Sequence, residues 1–413
     1  MKHSAGRDRV FRIPVRKYDA FERAIAEQWK AFESADETGL VLEAVPMELH
    51  DLQQAIFGDE GLQSGAWDVA FVPTDWIPAL HASASAADLA PLIAQNPPEG
   101  YPDAWSPSLL RLQQIGDSIL GVPYHDGPEC LMYRTDLFND AENQRRFYER
   151  YQTTLQSPKT WNEFHRIARF FHNPDAGLYG TAFAAYPDGH NTVYDFLLQL
   201  WTRGGEIAHG DSLRFNTPAA VEALSFYREI LREQAAIHPE SRSLDSVAAG
   251  MRFAAGEIAL MVNWFGFAVH AHTSADSEIR GRVDIDDVPA KAGCHSVSLN
   301  VYWILALASG SPHREVAWRF LRHTQSPAMD MLTTTSGAIG CRKSTWTNPE
   351  VNASIPFYCR MESLHASARE LPHRADWPQI AEIIDSLMNA AINTSEPIEA
   401  LLRKADEAIA PAN

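Results

Sequence analysis

A two-domain α/β architecture is what this sequence predicts, on three observations. The chain has 413 residues, beyond the length at which a single hydrophobic core usually keeps growing. Its composition, 45% hydrophobic and 21% charged, is that of a globular chain rather than a disordered one. Short β-type runs alternate with amphipathic helical patterns, the signature of a parallel sheet covered by helices.

The elements follow in order. VFRIPV at 10–15 is a strand in which Pro14 limits pairing. A helix comes next, with Asp19 as its cap and an apolar stripe at Phe21, Ile25 and Phe32. VLEAV at 41–45 alternates like a second strand, and DVAFV at 68–72 is a compact apolar run, hence a buried strand. Ile119 and Leu120 lead into Gly121-Val122-Pro123-Tyr124, and Cys130 to Tyr133 forms a further strand. Thr160-Trp161-Asn162-Glu163 matches a capping box and precedes a stripe at Trp161, Phe164, Ile167, Ala168 and Phe171. Thr217-Pro218 and Ser311-Pro312 each set a cap residue before a proline at the first helical position. After Ser311 the apolar face is Val316, Ala317, Phe320 and Leu321. Two helices, over 378–392 and 396–409, close the chain.

Composition and missing motifs exclude several functions. The formal charge is −18, from 35 basic and 53 acidic residues, so nucleic acid and anionic lipid are poor partners. The longest apolar run, VYWILALA at 301–308, is far short of the about 20 residues a spanning helix needs. The N-terminus, MKHSAGRDRVF, is basic but lacks the apolar stretch of a secretory leader. It fits a cytoplasmic protein, or an exported one whose leader has been removed. No glycine is followed by lysine, so a Walker A loop is impossible, and G-x-G-x-x-G, G-x-S-x-G and H-E-x-x-H are all missing. His270 and His272 have no acidic or cysteine partner at ligand spacing. No cofactor and no metal are expected. Of the four cysteines, Cys130, Cys294, Cys341 and Cys359, no two have C-x-x-C spacing. Cys341 and Cys359 are the pair a local disulfide would join in an exported protein, against the alternative of buried free thiols.

Segments spread over most of the chain together resemble the family 1 extracellular solute-binding proteins, the carbohydrate-capturing subunits of ABC importers. They are Trp67-Asp68-Val69-Ala70-Phe71-Val72 with Asp75-Trp76, then Leu89-Ala90-Pro91-Leu92. Gly121-Val122-Pro123-Tyr124 follows, running into Leu131-Met132-Tyr133-Arg134-Thr135-Asp136-Leu137-Phe138. Pro158-Lys159-Thr160-Trp161-Asn162-Glu163-Phe164 leads to Tyr179-Gly180 and Gly204-Gly205-Glu206-Ile207. Phe253-Ala254-Ala255-Gly256-Glu257-Ile258-Ala259-Leu260-Met261 ends in Asn263-Trp264, and the Ser311 helix precedes Ser336-Gly337 and Arg342. Two departures stand out. Cys341 occupies the place of the family's usual proline, and Asn300-Val301-Tyr302-Trp303 replaces a glycine-rich stretch.

The resemblance implies a two-lobed periplasmic-binding-protein-like fold of type II, with a ligand cleft between lobes joined by hinge segments. Lobe 1 would comprise 1–122 and 286–328, and lobe 2 would comprise 123–285 and 329–413. Crossings are expected near Gly121 to Pro123, Asp284 to Pro289 and Pro327 to Thr335. The resemblance further implies a monomer outside the cytoplasm, periplasmic or extracellular, with a carbohydrate ligand and the membrane subunits of an ABC permease as partners. It implies no catalysis. A same-fold binder of a polyamine or other polar solute is the alternative, and a glycoside hydrolase is a further one.

A sugar presents hydroxyls at its rim and C–H faces on its ring. Planar polar side chains replace the water bound to the former, and an aromatic ring covers the latter. The loops after the predicted strands carry this mixture in Asp75, Trp76, Tyr124, His125, Asp126, Tyr186, Asp188, Asn263, Trp264, Tyr302 and Arg342. Tyr302 and Trp303 point to opposite faces of a strand, so one of them reaches the ligand, and Tyr302 is favoured. Trp161 and Trp318 are expected to be structural.

Overall fold

A computed structural model describes residues 9–209, 212–372, 374 and 376–409. The basic first eight residues, read above as lacking a leader's apolar stretch, lie outside these. The chain divides into two compact units, each discontinuous in sequence. Unit 1 takes the chain up to Gly127 and Val301–Cys359, and unit 2 takes Pro128–Asn300, Arg360–Pro372 and the chain from Trp377 onward. The chain passes between the units after Gly127, Asn300 and Cys359, later than the sequence placed the crossings, and returns briefly to unit 1 over 373–376. Pro327 to Thr335, expected to cross, is a helix capped by Ser326 with Pro327 in its first turn. Gly121 to Pro123, also expected to cross, lies in unit 1, at and just before the strand Val122–His125.

The strands that frame the site are, in chain order, β1 (Val10–Arg16), β2 (Val41–Met47), β3 (Val69–Pro73), β4 (Val122–His125), β5 (Glu129–Arg134), β6 (Leu260–Trp264), β7 (Val283–Asp286) and β8 (Trp303–Leu307). The helices used below are α1 (Asp19–Asp36), α2 (Trp161–Phe171), α3 (Asn191–Trp201), α4 (Pro218–Arg232), α5 (Arg314–Thr324), α6 (Pro327–Thr335), α7 (Trp377–Asn393) and α8 (Ile398–Ile409).

In unit 1, β1 and β2 run parallel, and Pro14 stays in register opposite Val45. Beside them, β8 lies antiparallel between β3 and β4. Asp68 stitches β1 to β3: its N–H donates to the Arg12 carbonyl at 2.9 Å, and its carboxylate accepts the Arg12 N–H at 2.8 Å. The same carboxylate accepts the Ser311 hydroxyl at 2.6 Å. Ser311 is not the N-cap of α5, which begins at Arg314 with His313 in the cap position; the Ser311 hydroxyl donates to Asp68 and its oxygen accepts the His313 N–H at 3.1 Å.

Helix α1 buries Phe21, Ile25 and Phe32 as its stripe predicts, together with Trp29, which stacks on Phe11 at 4.6 Å. Its N-cap position is Tyr18. Asp19 sits in the first turn instead, where a negative charge favours the helix dipole. On α5 the buried face is Ala317, Trp318, Phe320 and Leu321, with Val316 at its edge. A buried glutamine, Gln28, ties α1 to two neighbours. Its amide donates to the Met329 carbonyl and the Thr333 hydroxyl of α6, and its oxygen accepts the Tyr124 hydroxyl at 3.0 Å.

In unit 2, β5 lies between β6 and β7, antiparallel to both. The capping box opens α2 as expected: the Thr160 hydroxyl accepts the Glu163 N–H at 3.2 Å, and the Glu163 carboxylate accepts the Thr160 N–H at 3.0 Å. Thr217 caps α4 by accepting the Ala220 N–H. Helix α3 is buried at nearly every position, as an apolar sequence on all sides requires. All four cysteines are free thiols, Cys341 buried and Cys359 exposed.

Replacing Asp68 by alanine would orphan the buried Arg12 N–H and free the Ser311 turn. The expected cost is about 2–3 kcal/mol, read as a lowered urea midpoint. A loss below about 0.5 kcal/mol, the level of an ordinary surface substitution, would show that the stitch does not hold β1 to β3.

Candidate ligand-binding site

Ligands of open α/β sheets sit beyond the carboxyl ends of the strands, where the loops carry the polar groups. In unit 1 the register fixes which residues share that end. Arg16 pairs with Met47, and Trp303 pairs with both Pro73 and His125. One end of the β3–β8–β4 sheet therefore gathers Asp75 after β3, His125 and Asp126 at the end of β4, and Trp303 at the start of β8, while the separate β1–β2 sheet ends in Arg16, Lys17 and Glu48. The Glu48 carboxylate accepts from Arg16 at 2.5 Å and Lys17 at 2.9 Å, and Arg16 foremost holds its carboxyl below the usual range. Trp303 is partly exposed, with its ring edge-on to Phe21 at 5.7 Å. His125 Nδ1 accepts the Ile339 N–H at 2.9 Å. Burial pushes the imidazole down to about 4, against a smaller opposing pull from Asp126. Asp126 is 1% exposed, and its N–H donates to the Ile339 carbonyl.

Four of the expected residues in unit 1 serve its interior. Tyr124 is 3% exposed and spends its hydroxyl on Gln28. Tyr302 is 1% exposed, with its hydroxyl donating to the Leu109 carbonyl at 2.7 Å. The choice between neighbours thus goes the other way: Trp303, not Tyr302, has the surface. Trp76 is buried with its ring edge-on to Phe57. Arg342 lies over the Trp105 ring at 4.7 Å and donates to the carbonyls of Glu99 and Gln325. Its backbone is held by the buried Asp330 carboxylate, which also accepts from Cys341 N and the Thr345 hydroxyl. Gly340 must be glycine there, since a Cβ would meet Asp330 Oδ2 at 2.5 Å. A guanidinium held between the Trp105 ring and two backbone carbonyls acts as a strut.

In unit 2 the corresponding end is formed by the last residues of β6 and the first of β5, because Trp264 pairs with Glu129 and Asn263 with Cys130. Asn263 is buried; its amide donates to the Ser246 carbonyl at 3.0 Å and its oxygen accepts the Trp264 N–H at 2.8 Å. Those two bonds fix the backbone that presents Trp264, whose partly exposed ring lies edge-on to Tyr194 at 5.6 Å. Tyr194 in turn bonds His190 Nδ1 at 2.8 Å. Asp188 opens α3 by accepting the N–H groups of His190 and Asn191 at 2.9 and 3.0 Å. Tyr186 is 50% exposed, and its N–H donates to the Leu244 carbonyl, two residues from the partner of Asn263. The structure so brings Tyr186, Asp188, Asn263 and Trp264 into one neighbourhood.

A family model described as bacterial extracellular solute-binding protein matches residues 15–331. The chain belongs to this family. Solved structures similar to it include maltose-bound MalE3 of T. maritima, 19% identical over 97% of this chain and 98% of that one, with a TM-score of 0.84. A solute-binding protein of Agrobacterium radiobacter K84 in complex with ribitol is 21% identical over 97% and 98%, with a TM-score of 0.86. One of Agrobacterium vitis S4 with bound D-mannitol is 16% identical over 97% of each chain, with a TM-score of 0.82. The fold is accordingly the two-lobed, type II binding-protein fold that the sequence implied. The family is extracellular by description and consists of binders rather than enzymes.

Several residues of this solute-binding protein escaped sequence reasoning. Trp303 was passed over for its neighbour. Lys17 and Glu48 looked like ordinary surface charge. Tyr194 lies inside an apolar helix, and Glu129 at the head of an apolar strand. A carboxylate opening the run ECLMYR, and another inside NTVYDFLLQLW, were the available signals.

His125 yields a pH prediction. Its folded pKa of about 4 lies below the unfolded value of 6.5, so between these the unfolded chain binds more protons and stability falls as pH falls. His125→Gln should flatten that part of the stability profile between pH 6.5 and 4. An NMR titration of the imidazole with a midpoint near 6.5 would refute the assignment.

Proposed function

We propose that this protein captures a carbohydrate or polyol outside the cytoplasm and hands it, chemically unchanged, to the permease of an ABC importer. The observation that carries the reading is Trp264. Its ring is partly exposed at a strand end, braced by Tyr194, on backbone that Asn263 locks with two hydrogen bonds. Such a ring covers the C–H face of a sugar at little conformational cost. Exposed polar groups in the same neighbourhood, such as the phenol of Tyr186, supply bonds that hydroxyls give up on leaving water. Family membership supports the importer role, and the maltose, ribitol and D-mannitol held by similar proteins support a polyhydroxylated ligand. Micromolar capture needs about −8 kcal/mol. Six to eight net hydrogen bonds of about 1 kcal/mol each, with one stacked ring, reach it.

The test is a thermal-shift panel of sugars, sugar alcohols and amino sugars. A ligand at 100 times its dissociation constant should add about 2.7 kcal/mol, a shift of a few degrees for a chain of this size. The ligand should be recovered intact after long incubation, and appearance of a hydrolysed product would refute simple capture. Trp264→Ala should weaken binding at least about tenfold, the equivalent of about 1.4 kcal/mol, while leaving the melting temperature of the free protein within a degree or two. Unchanged affinity in that variant would remove Trp264 from the site.

A further inference from the structure

Unit 2 sets a buried carboxylate, Glu129, and a partly buried one, Asp195, where its ligand-facing strand end meets α3. Glu129, the first residue of β5, is 6% exposed, and its Oε2 is buried with no hydrogen-bond partner. Its backbone oxygen accepts the Ser298 hydroxyl at 2.6 Å. Glu129 and Trp264 are paired across the β5–β6 ladder, and directly paired residues send their side chains to the same face of a sheet. On that face lies α3, with Tyr194 against Trp264 and Asp195 close enough to Glu129 for their charges to repel. Asp195 accepts the Tyr227 hydroxyl of α4 at 2.5 Å.

The surroundings deepen the negative field. Asp188 raises the pKa of Asp195, and Asp385 of α7 adds to the field felt by Tyr227. Thr192 donates to Asp385. His190, the nearest basic ring, is bonded to Tyr194. The arginines of α4 are turned away: Arg228 donates to the carbonyls of Ala391 and Glu396, and Arg232 to those of Ile392 and Thr394. Burial, helped by repulsion, drives Glu129 well above its usual range and Asp195 up to about 7. A buried carboxylate without a partner is costly. An arriving hydroxyl brings one donor and no charge, whereas a primary ammonium brings three donors and the missing positive charge.

We propose that Glu129 and Asp195 form an ammonium subsite beside Trp264, and that the captured molecule is an amino sugar or an amine-bearing polyol. This rests on the capture reading and narrows its ligand class. The whole-chain charge of −18 draws such a cation toward the protein.

The experiment compares matched pairs by titration calorimetry at pH 7: glucose with glucosamine, galactose with galactosamine, and sorbitol with its 1-amino-1-deoxy form. The amine should bind at least tenfold more tightly than its parent in one pair, with buffer-dependent heat reporting proton release from the carboxyl groups. Glu129→Gln should abolish the affinity difference between the amine and its parent. Asp195→Asn provides a second, separate variant expected to do the same. Equal affinities within every pair that binds, or an amine preference that survives both substitutions, would overturn the ammonium subsite while leaving sugar capture standing. Failure of every compound to bind the wild-type protein would overturn both.

Discussion

Strand β8 enters unit 1 from far along the chain and inserts antiparallel between β3 and β4. Without it, β3 and β4 have no common partner, and the polar residues after each have no fixed spacing. Its apolar run Ile304 to Leu307 is wholly buried, so hydrophobic burial anchors it. The ladder then dictates the rest. Reversal of direction puts the first residue of β8 at the same sheet end as the last residues of β3 and β4, and Trp303 becomes a neighbour of His125. The role of β5 in unit 2 is similar: antiparallel pairing sets its first residue, Glu129, opposite the last residue of β6, Trp264.

Buried polar groups then decide which candidates remain available. Tyr124 is taken by Gln28, Tyr302 by the Leu109 carbonyl, and Arg342 by two carbonyls and the Trp105 face. A buried donor or acceptor left unpaired costs more than an ordinary hydrogen bond returns. These side chains therefore hold their internal partners. Asp68 and Asp330 act likewise as hubs, each accepting several donors from segments distant in sequence. Glu129 differs from the tyrosines, buried with one carboxylate oxygen that no group of the described residues satisfies.

Local signals survived folding where short-range chemistry governs them. The Thr160 capping box, the Thr217 cap before Pro218 and the stripe on α1 depend only on neighbours within a turn or two, and each formed as the residue pattern indicated. Ser311 holds the turn before the helix instead of capping it: its hydroxyl bridges Asp68 and the His313 N–H, and α5 starts only at Arg314. The crossing expected over Pro327 to Thr335 failed for a related reason: Ser326 and Pro327 start a good helix, and α6 packs back through Thr333 on Gln28.

The sequence by itself determined the α/β class, the two-domain size, most helix starts and the chemical character of the binding loops. All of these follow from composition, periodicity and contacts a few residues apart. It also singled out Asn263-Trp264 and Asp188, where the hydrogen bonds of Asn263 and Asp188 go chiefly to nearby backbone. Only the tertiary structure decided between Tyr302 and Trp303, withdrew Tyr124, Trp76 and Arg342 into the interior, and brought Glu129 against Asp195. The physical reason is that side-chain availability depends on which distant hydrogen-bond partner and which packed face each residue meets, and strand register across long sequence separations sets that.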